Sequence, residues 1–395
     1  MKFAARLAAY QNNGMDALFA GNDPDLIAFA GGYPDPALFP QAELGAALAA
    51  NTTATTLQYS TPAGAAALRQ QLAVRMQRDG IPGTAEDVML TQGAQQGIDL
   101  VARLLLDPGD GLVVEGPTYI GALSAFDSYQ PHYYEVPMEA DGMDLHALQR
   151  VLRKHQVKLI YTVPDFHNPT GAVMSLAKRK ALVALANRYD CVILEDAPYR
   201  ELRYSGVQLP PLRHFDTEGR VIFLSSFSKI LAPSLRLGWV NADPALLAPL
   251  LALKGGADLE TSSVVTHAVA SYLQHSDLDA HIAHLRQVYA AKMARMRAAL
   301  APLLPAGATL TQPAGGFFLW LTVPGVDLTA LVRDVLLPQA HVSIVPGATL
   351  SPMGHYRDSA RLSFTGVTSA QIDAGCAALG RVLAQVGGAA QVQRL

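Results

Sequence analysis

Along most of the chain, short apolar runs alternate with longer segments of helical spacing. Val88–Leu90, Gly111–Val114, Lys158–Val163, Cys191–Leu194, Val221–Leu224 and Leu237–Val240 are dominated by apolar residues and read as buried strands. Between several of them lie Ala-, Leu- and Arg-rich stretches, such as Leu176–Tyr189, whose apolar residues recur at helical intervals. This alternation predicts an α/β fold with a mostly parallel sheet flanked by helices. From about residue 280 the pattern changes. A long helical stretch, His281–Leu300, precedes Phe317–Leu321, the apolar stretch His341–Val345, a Pro346–Gly347 turn and Arg361–Phe364. This predicts a smaller α+β domain. The expected organisation is a large domain over residues 46–285 and a small one over 286–395. The N-terminal segment, residues 1–45, contains several Gly and Pro and is expected to join the small domain.

At 395 residues the chain is long enough for a large core and two domains. Half of it is hydrophobic and 16% is charged, a globular composition. A formal net charge of -3 gives no footprint for nucleic acid or another polyanion. Two cysteines, Cys191 and Cys376, make neither a disulfide framework nor a zinc spacing. Arg6 interrupts the first apolar stretch, and polar Gln11–Asn13 follows too soon for a secretory signal. No run approaches the roughly 18 apolar residues of a membrane span. A cytoplasmic location is therefore expected.

Ligands of parallel sheets bind beyond the carboxyl ends of the strands. The chemically loaded residues fall there: Gly93–Gln96, Glu115–Tyr119, Asn168–Gly171, Asp196–Tyr199 and Ser226–Lys229. The last is the most telling. Lys229, one of only eight lysines, follows the buried run Val221–Leu224. A poorly solvated lysine has a lowered pKa and a nucleophilic amine. Ser226, Ser228 and Arg236 beside it suit an anionic phosphate. An imine-forming lysine next to a phosphate site points to pyridoxal phosphate, an electron sink for carbanion chemistry.

Other residues supply further faces of such a site. Gly93–Gly97 opens a helical pattern, Ile98–Leu105, and small residues at a helix start expose N–H groups to an anion. Tyr119 is placed to stack on a planar ring. Asn168 precedes a proline and is held out of the helical region. Glu195 and Asp196 end a strand, and either carboxylate there needs a partner such as a pyridinium N–H. Spacing leaves open which one points inward. Arg361 has the chemistry to grip a carboxylate in two places.

Several other chemistries are excluded. Ser226-x-x-Lys229 matches the S-x-x-K of penicillin-binding proteins, but the companions S-D-N and K-T-G do not occur. H-E-x-x-H and G-x-S-x-G are absent, and the 11 histidines show no ligand spacing, so no metal is expected. Neither G-x-G-x-x-G nor a P-loop precedes a helix.

Taken jointly, these residues resemble the pyridoxal-phosphate-dependent aminotransferases of fold type I, class I/II. The resemblance is closest to the branch of 2-aminoadipate and kynurenine-type enzymes and covers almost the whole chain. It is carried by Phe29–Pro36, Leu57–Ser60, Thr91–Gln96, Asn168–Gly171, the Asp196-x-x-Tyr199 pair and the Lys229 segment. The resemblance implies that Lys229 forms an imine with the cofactor and then moves a proton. Asp196 would pair with the pyridine nitrogen, and Asn168 and Tyr199 with the ring O3′. Tyr119 would stack on the ring. Ala94, Gln95, Ser226, Ser228 and Arg236 would hold the phosphate. Tyr59 would reach the phosphate of a neighbouring subunit, making a homodimer with shared sites. Arg361 would bind the substrate α-carboxylate, with Gly32 lining the site.

Two departures from the branch stand out. Ala94 replaces a frequent serine of the phosphate cup, which removes a hydroxyl but keeps the backbone donor. The stretch Gly14–Leu18 lacks the arginine that meets a side-chain carboxylate in aminoadipate-type enzymes, and Asp16 there would repel one. A neutral or aromatic L-amino acid is the expected donor, with 2-oxoglutarate as the expected acceptor. The same residues would also serve a β-lyase or decarboxylase. A ligand-sensing domain behind a DNA-binding module is a remote alternative, since the match begins within the first 30 residues.

Overall fold

A computed structural model of the chain describes residues 1–4, 6 and 25–392. The stretch Gly14–Leu18, on which the expected donor preference partly rests, lies outside them. β1 (Ile27–Ala28) precedes the eight strands of the main sheet: β2 (Val88–Thr91), β3 (Gly111–Gly116), β4 (His132–Glu139), β5 (Gly142–Met143), β6 (Val157–Thr162), β7 (Val192–Asp196), β8 (Val221–Ser226) and β9 (Gly238–Asn241). Their order across the sheet is β2-β9-β8-β7-β6-β3-β4-β5. The neighbours from β8 through β4 pair in parallel. β9 is antiparallel to both β8 and β2, so β2 runs with the parallel set. Six strands therefore end at one edge of the sheet, and β9 begins there.

The near-continuous apolar runs have a direct cause, because both faces of the sheet are covered. Val113, Ile160, Ile193 and Val221 face a layer that includes Leu148 and Leu152 of helix Leu145–Lys154, with Leu182 and Ala186 of helix Leu176–Tyr189. Val114, Tyr161, Leu194 and Leu224 face the opposite layer, with Ile98 and Val101 of helix Gly93–Leu105. That helix packs closely, since a Cβ on Gly97 would come within 2.5 Å of Leu224. β4 was missed in the sequence because it is a half-exposed strand near the sheet's end, polar at several positions and interrupted by Pro137.

After helix Leu278–Leu300 comes a four-stranded antiparallel sheet. It contains β10 (Thr309–Leu310) and β11 (Phe318–Thr322). β12 (Val342–Ser343) pairs in parallel with β1, bringing the N-terminal stretch to this part of the molecule. β13 (Val345–Pro346) and β14 (Ser359–Ser363) complete the small sheet, in the order β10-β11-β14-β13. Helix Leu278–Leu300 runs unbroken past residue 285, so no loop separates the two parts at that position. Among the described residues, no helix is long and apolar enough to cross a membrane.

Candidate active site

A cleft of about 350 Å³ opens at the carboxyl edge of the main sheet, where it meets the small sheet. Gly32, Ala94, Gln95, Tyr119, Asn168, Asp196, Tyr199, Ser226, Ser228, Lys229, Arg236 and Arg361 all line it. Tyr59 does not; its side chain is on the surface, with the residue 78% exposed.

Lys229 follows β8 and directs its amine across the cleft. Nζ donates to the Gly32 carbonyl at 2.8 Å and lies 5.7 Å from the centre of the Phe317 ring. Burial of the amine lowers its pKa to about 8, and the Arg361 and Arg236 charges push the same way, against Asp196. At pH 7 the amine is therefore still mostly protonated, but about a tenth of it is neutral and nucleophilic, far more than for an ordinary lysine. Lys254 is fully buried, but its amine is held by Asp258 at 2.8 Å and does not line this cleft.

The structure separates the two carboxylates at the end of β7. Glu195 turns away and accepts hydrogen bonds from the backbone N–H groups of Leu212 and Arg213 at 2.8 and 2.9 Å. Asp196 points into the cleft. Its Oδ2 accepts the Tyr161 hydroxyl at 2.7 Å, whereas its buried Oδ1 has no hydrogen-bond partner. Burial raises Asp196 to about 6, opposed by the Tyr161 hydrogen bond and the Lys229 charge.

An anion cup lies nearby. Helix Gly93–Leu105 begins at its rim, and its first-turn N–H groups, Ala94 and Gln95 among them, have no acceptor within the helix. Gly93 has φ +69, the left-handed region, and a Cβ there would come within 2.9 Å of Arg236 Nη2. Gly238 allows the start of β9 to pass the cup, because a Cβ on it would meet the Ala94 nitrogen at 2.9 Å. Ser226 Oγ and Ser228 Oγ are 2.8 Å apart. Arg236 donates to the Gln92 carbonyl at 3.3 Å, which ties the strand-entry loop to the helix start.

Asn168 and Arg361 meet on the opposite side. Arg361, on β14, is buried and donates from Nη1 to Asn168 Oδ1 at 2.8 Å and from Nη2 to the Ala30 carbonyl at 2.7 Å. The guanidinium lies 4.3 Å from the Phe318 ring centre, and its buried Nε has no partner. Burial lowers Arg361 to about 10, against the opposing influence of Tyr199, Tyr119 and Tyr33. Tyr199 packs against Phe317 and Phe318 at 5.4 and 5.5 Å, and burial raises its phenol above the ordinary value.

Two groups of residues escaped the sequence reading. Tyr33, Ile120 and Phe318 line the cleft but read as ordinary aromatic and aliphatic positions. Tyr161, inside an apolar strand, gave no polar signal at all. The loop that carries Asn168 rests on charges that the sequence does not pair. Asp165 binds Arg179 and Arg200 at 2.6 and 2.9 Å, all three buried. His167 Nε2 stands 3.1 Å from Glu115, which also accepts Thr162 Oγ1 at 2.6 Å.

These residues fit pyridoxal phosphate. Asp196 Oδ1 is a buried acceptor without a donor, the need that a ring N–H fills. Among the described residues, three cations, Lys229, Arg236 and Arg361, line the cleft against the single carboxylate of Asp196. That excess suits a phosphate at one end and a carboxylate at the other.

The comparisons with known proteins agree. Residues 28–379 match the family described as aminotransferase class I and II. The chain is 39% identical to aromatic-amino-acid aminotransferase 1 of Thermococcus litoralis, over 89% of this chain and 86% of that protein. It is 35% identical to the 2-aminoadipate transaminase of Thermus thermophilus, over 91% and 90%. It superposes on the crystal structure of Pyrococcus horikoshii kynurenine aminotransferase, solved with PMP, with a TM-score of 0.92 at 35% identity, covering 97% of each chain. The chain belongs to the class I and II aminotransferases and has their α/β fold.

Proposed function

We propose that this pyridoxal-phosphate-dependent aminotransferase exchanges an amino group between a neutral or aromatic L-amino acid and 2-oxoglutarate. The observation that carries the donor class is the charge inventory of the cleft. Among the described residues, the lining cations Arg236 and Arg361 are matched by one phosphate and one α-carboxylate, and Lys229 supplies the reacting amine, so none of the three is left for a donor's side-chain carboxylate. Tyr33, Ile120 and Phe318 offer apolar surface instead.

When bound, pyridoxal phosphate supplies an electron sink that stabilises negative charge at the substrate Cα. The chain's residues do the rest. The helix start at Ala94 and Gln95, with Ser226, Ser228 and Arg236, holds the phosphate. Asp196 Oδ1, a buried acceptor without a donor, would accept the ring N–H and favour its protonated form. Asn168 and Tyr199 would hydrogen-bond the ring O3′, and Tyr119 would cover a ring face. Arg361 binds the α-carboxylate, beside Gly32, and so orients the Cα–H toward Lys229. Lys229, whose lowered pKa leaves part of its amine neutral, would take that proton at Nζ and hold it for return.

The same reading makes the active unit a cytoplasmic homodimer in which Tyr59 reaches the partner's phosphate. The outward position of Tyr59, away from its own chain's cleft, supports this assignment. It also divides the chain into a cofactor-binding part, residues 46–285, and a smaller part built from residues 1–45 and 286–395. The β1–β12 pairing supports that division.

A screen of neutral, aromatic and acidic L-amino acids against 2-oxoglutarate and pyruvate tests the proposal. Glutamate release is expected from the neutral and aromatic donors. A clear preference for 2-aminoadipate as donor, or for pyruvate as acceptor, overturns it.

A further inference from the structure

Asp196 has two oxygens, and the structure commits only one. Tyr161, on β6, pairs in register with Leu194 on β7, and Asp196 lies two residues further on, facing the same side of the sheet. The Tyr161 hydroxyl donates to Asp196 Oδ2 at 2.7 Å, and both side chains are buried. Oδ1 of the same carboxylate is buried without a donor, and Asp196 lines the cleft. Tyr161 is itself held by packing, with Phe126 edge-on at 5.5 Å and 72°.

We propose that Tyr161 is a positioning residue for the cofactor: its O–H occupies Asp196 Oδ2, turning Oδ1 toward the ring nitrogen and keeping the carboxylate ionised there. This rests on the assignment of Asp196 to the ring nitrogen. The groups facing Asp196 are Tyr161 from β6, Lys229 from the loop after β8, and the phenols of Tyr119 and Tyr199. Of these, only Tyr161 makes a hydrogen bond to the carboxylate. Burial, followed by the Asp196 charge, holds the Tyr161 phenol well above its ordinary value, with Tyr119 and Glu115 acting the same way. Its proton therefore stays in place through the working pH range, and the donor is permanent. A phenylalanine would fill the same space and lack only this hydrogen bond.

The test compares wild-type, Tyr161→Phe and Asp196→Ala proteins, each stripped of cofactor and titrated with pyridoxal phosphate. In Tyr161→Phe, affinity should fall about tenfold or more, the effect of losing a hydrogen bond to a charged group. The pH midpoint of the bound cofactor's visible absorbance should rise by roughly one unit. A ring nitrogen that holds its proton less firmly repels a second proton on the Lys229 nitrogen less. With 1-deazapyridoxal phosphate, which carries C–H in place of the ring nitrogen, wild-type and Tyr161→Phe should bind alike. An unmoved midpoint in Tyr161→Phe overturns the proposal, even if affinity falls, because packing alone would explain that loss. An unmoved midpoint in Asp196→Ala overturns the assignment of Asp196 and this proposal with it. If Asp196→Ala moves the midpoint and Tyr161→Phe does not, only the role of Tyr161 fails.

Discussion

Arg361 and Asn168 are joined by a 2.8 Å hydrogen bond from Nη1 to Oδ1, which links β14 of the small sheet to the loop after β6 of the large one. The bond fixes both groups before any ligand arrives. Arg361 has two nitrogens committed to the protein and keeps a buried Nε without a partner. Asn168, with its oxygen engaged, directs its amide as a donor toward the Tyr199 hydroxyl. Replacing Arg361 by methionine should lower kcat/KM for amino and oxo acids by about two to three powers of ten, the usual effect of losing a buried charge pair. KM should carry most of that change. Steady-state kinetics of both half-reactions check this.

Gly93 is, with Gly238, a position where the anion cup tolerates no side chain. Its φ of +69 and its approach to Arg236 both oppose a Cβ. Gly93→Ala should weaken pyridoxal phosphate binding about tenfold, from 1–2 kcal/mol of left-handed strain and displacement of Arg236. Titration of the cofactor-free variant measures it.

Much of this site was legible in the sequence, for a physical reason. Residues at the carboxyl ends of parallel strands follow apolar runs directly, so Lys229, Asp196 and Asn168, all lining the cleft, stand out as polar breaks. Resemblance then supplied what spacing left open, the choice of Asp196 over Glu195. The structure gives that choice its cause: Glu195 is consumed by two backbone N–H groups. Partnerships across the sheet left no such trace. Tyr161 counts as one more apolar-strand residue until its hydroxyl is seen at Asp196, and the Asp165 cluster joins residues far apart in the chain.

The Asp165 cluster supports the Asn168 loop from beneath. Burial alone would raise Asp165, but Arg179 and Arg200 outweigh it and hold its carboxyl below the ordinary value. Asp165→Asn leaves two buried guanidinium groups short of a counter-charge and should cost about 3–5 kcal/mol of stability. A folded pKa below the unfolded one means that the wild-type contribution is present above about pH 4 and is lost as pH falls through the folded value. Thermal unfolding across that range should therefore show a smaller acid-induced loss in Asp165→Asn than in the wild type.

Tyr59 offers a test of subunit sharing. If it serves the partner's phosphate, mixing inactive Lys229→Ala chains with weakly binding Tyr59→Phe chains creates hybrid dimers with one intact site. Cofactor affinity at that site should return to the wild-type value. If Tyr59 acts within its own chain, mixing restores nothing.

The central claim is that Lys229 drives amino transfer in this cleft. The most direct measurement is a single half-reaction: holoenzyme is mixed with an aromatic L-amino acid and no acceptor. The wild type should convert its visible absorbance to that of the aminated cofactor in a 1:1 ratio to active sites and release the matching oxo acid. Lys229→Ala should slow this by at least about a thousandfold, the scale of removing a general base and nucleophile together. Wild-type conversion by the Lys229→Ala protein, or oxo acid released without the aminated cofactor, would contradict the account.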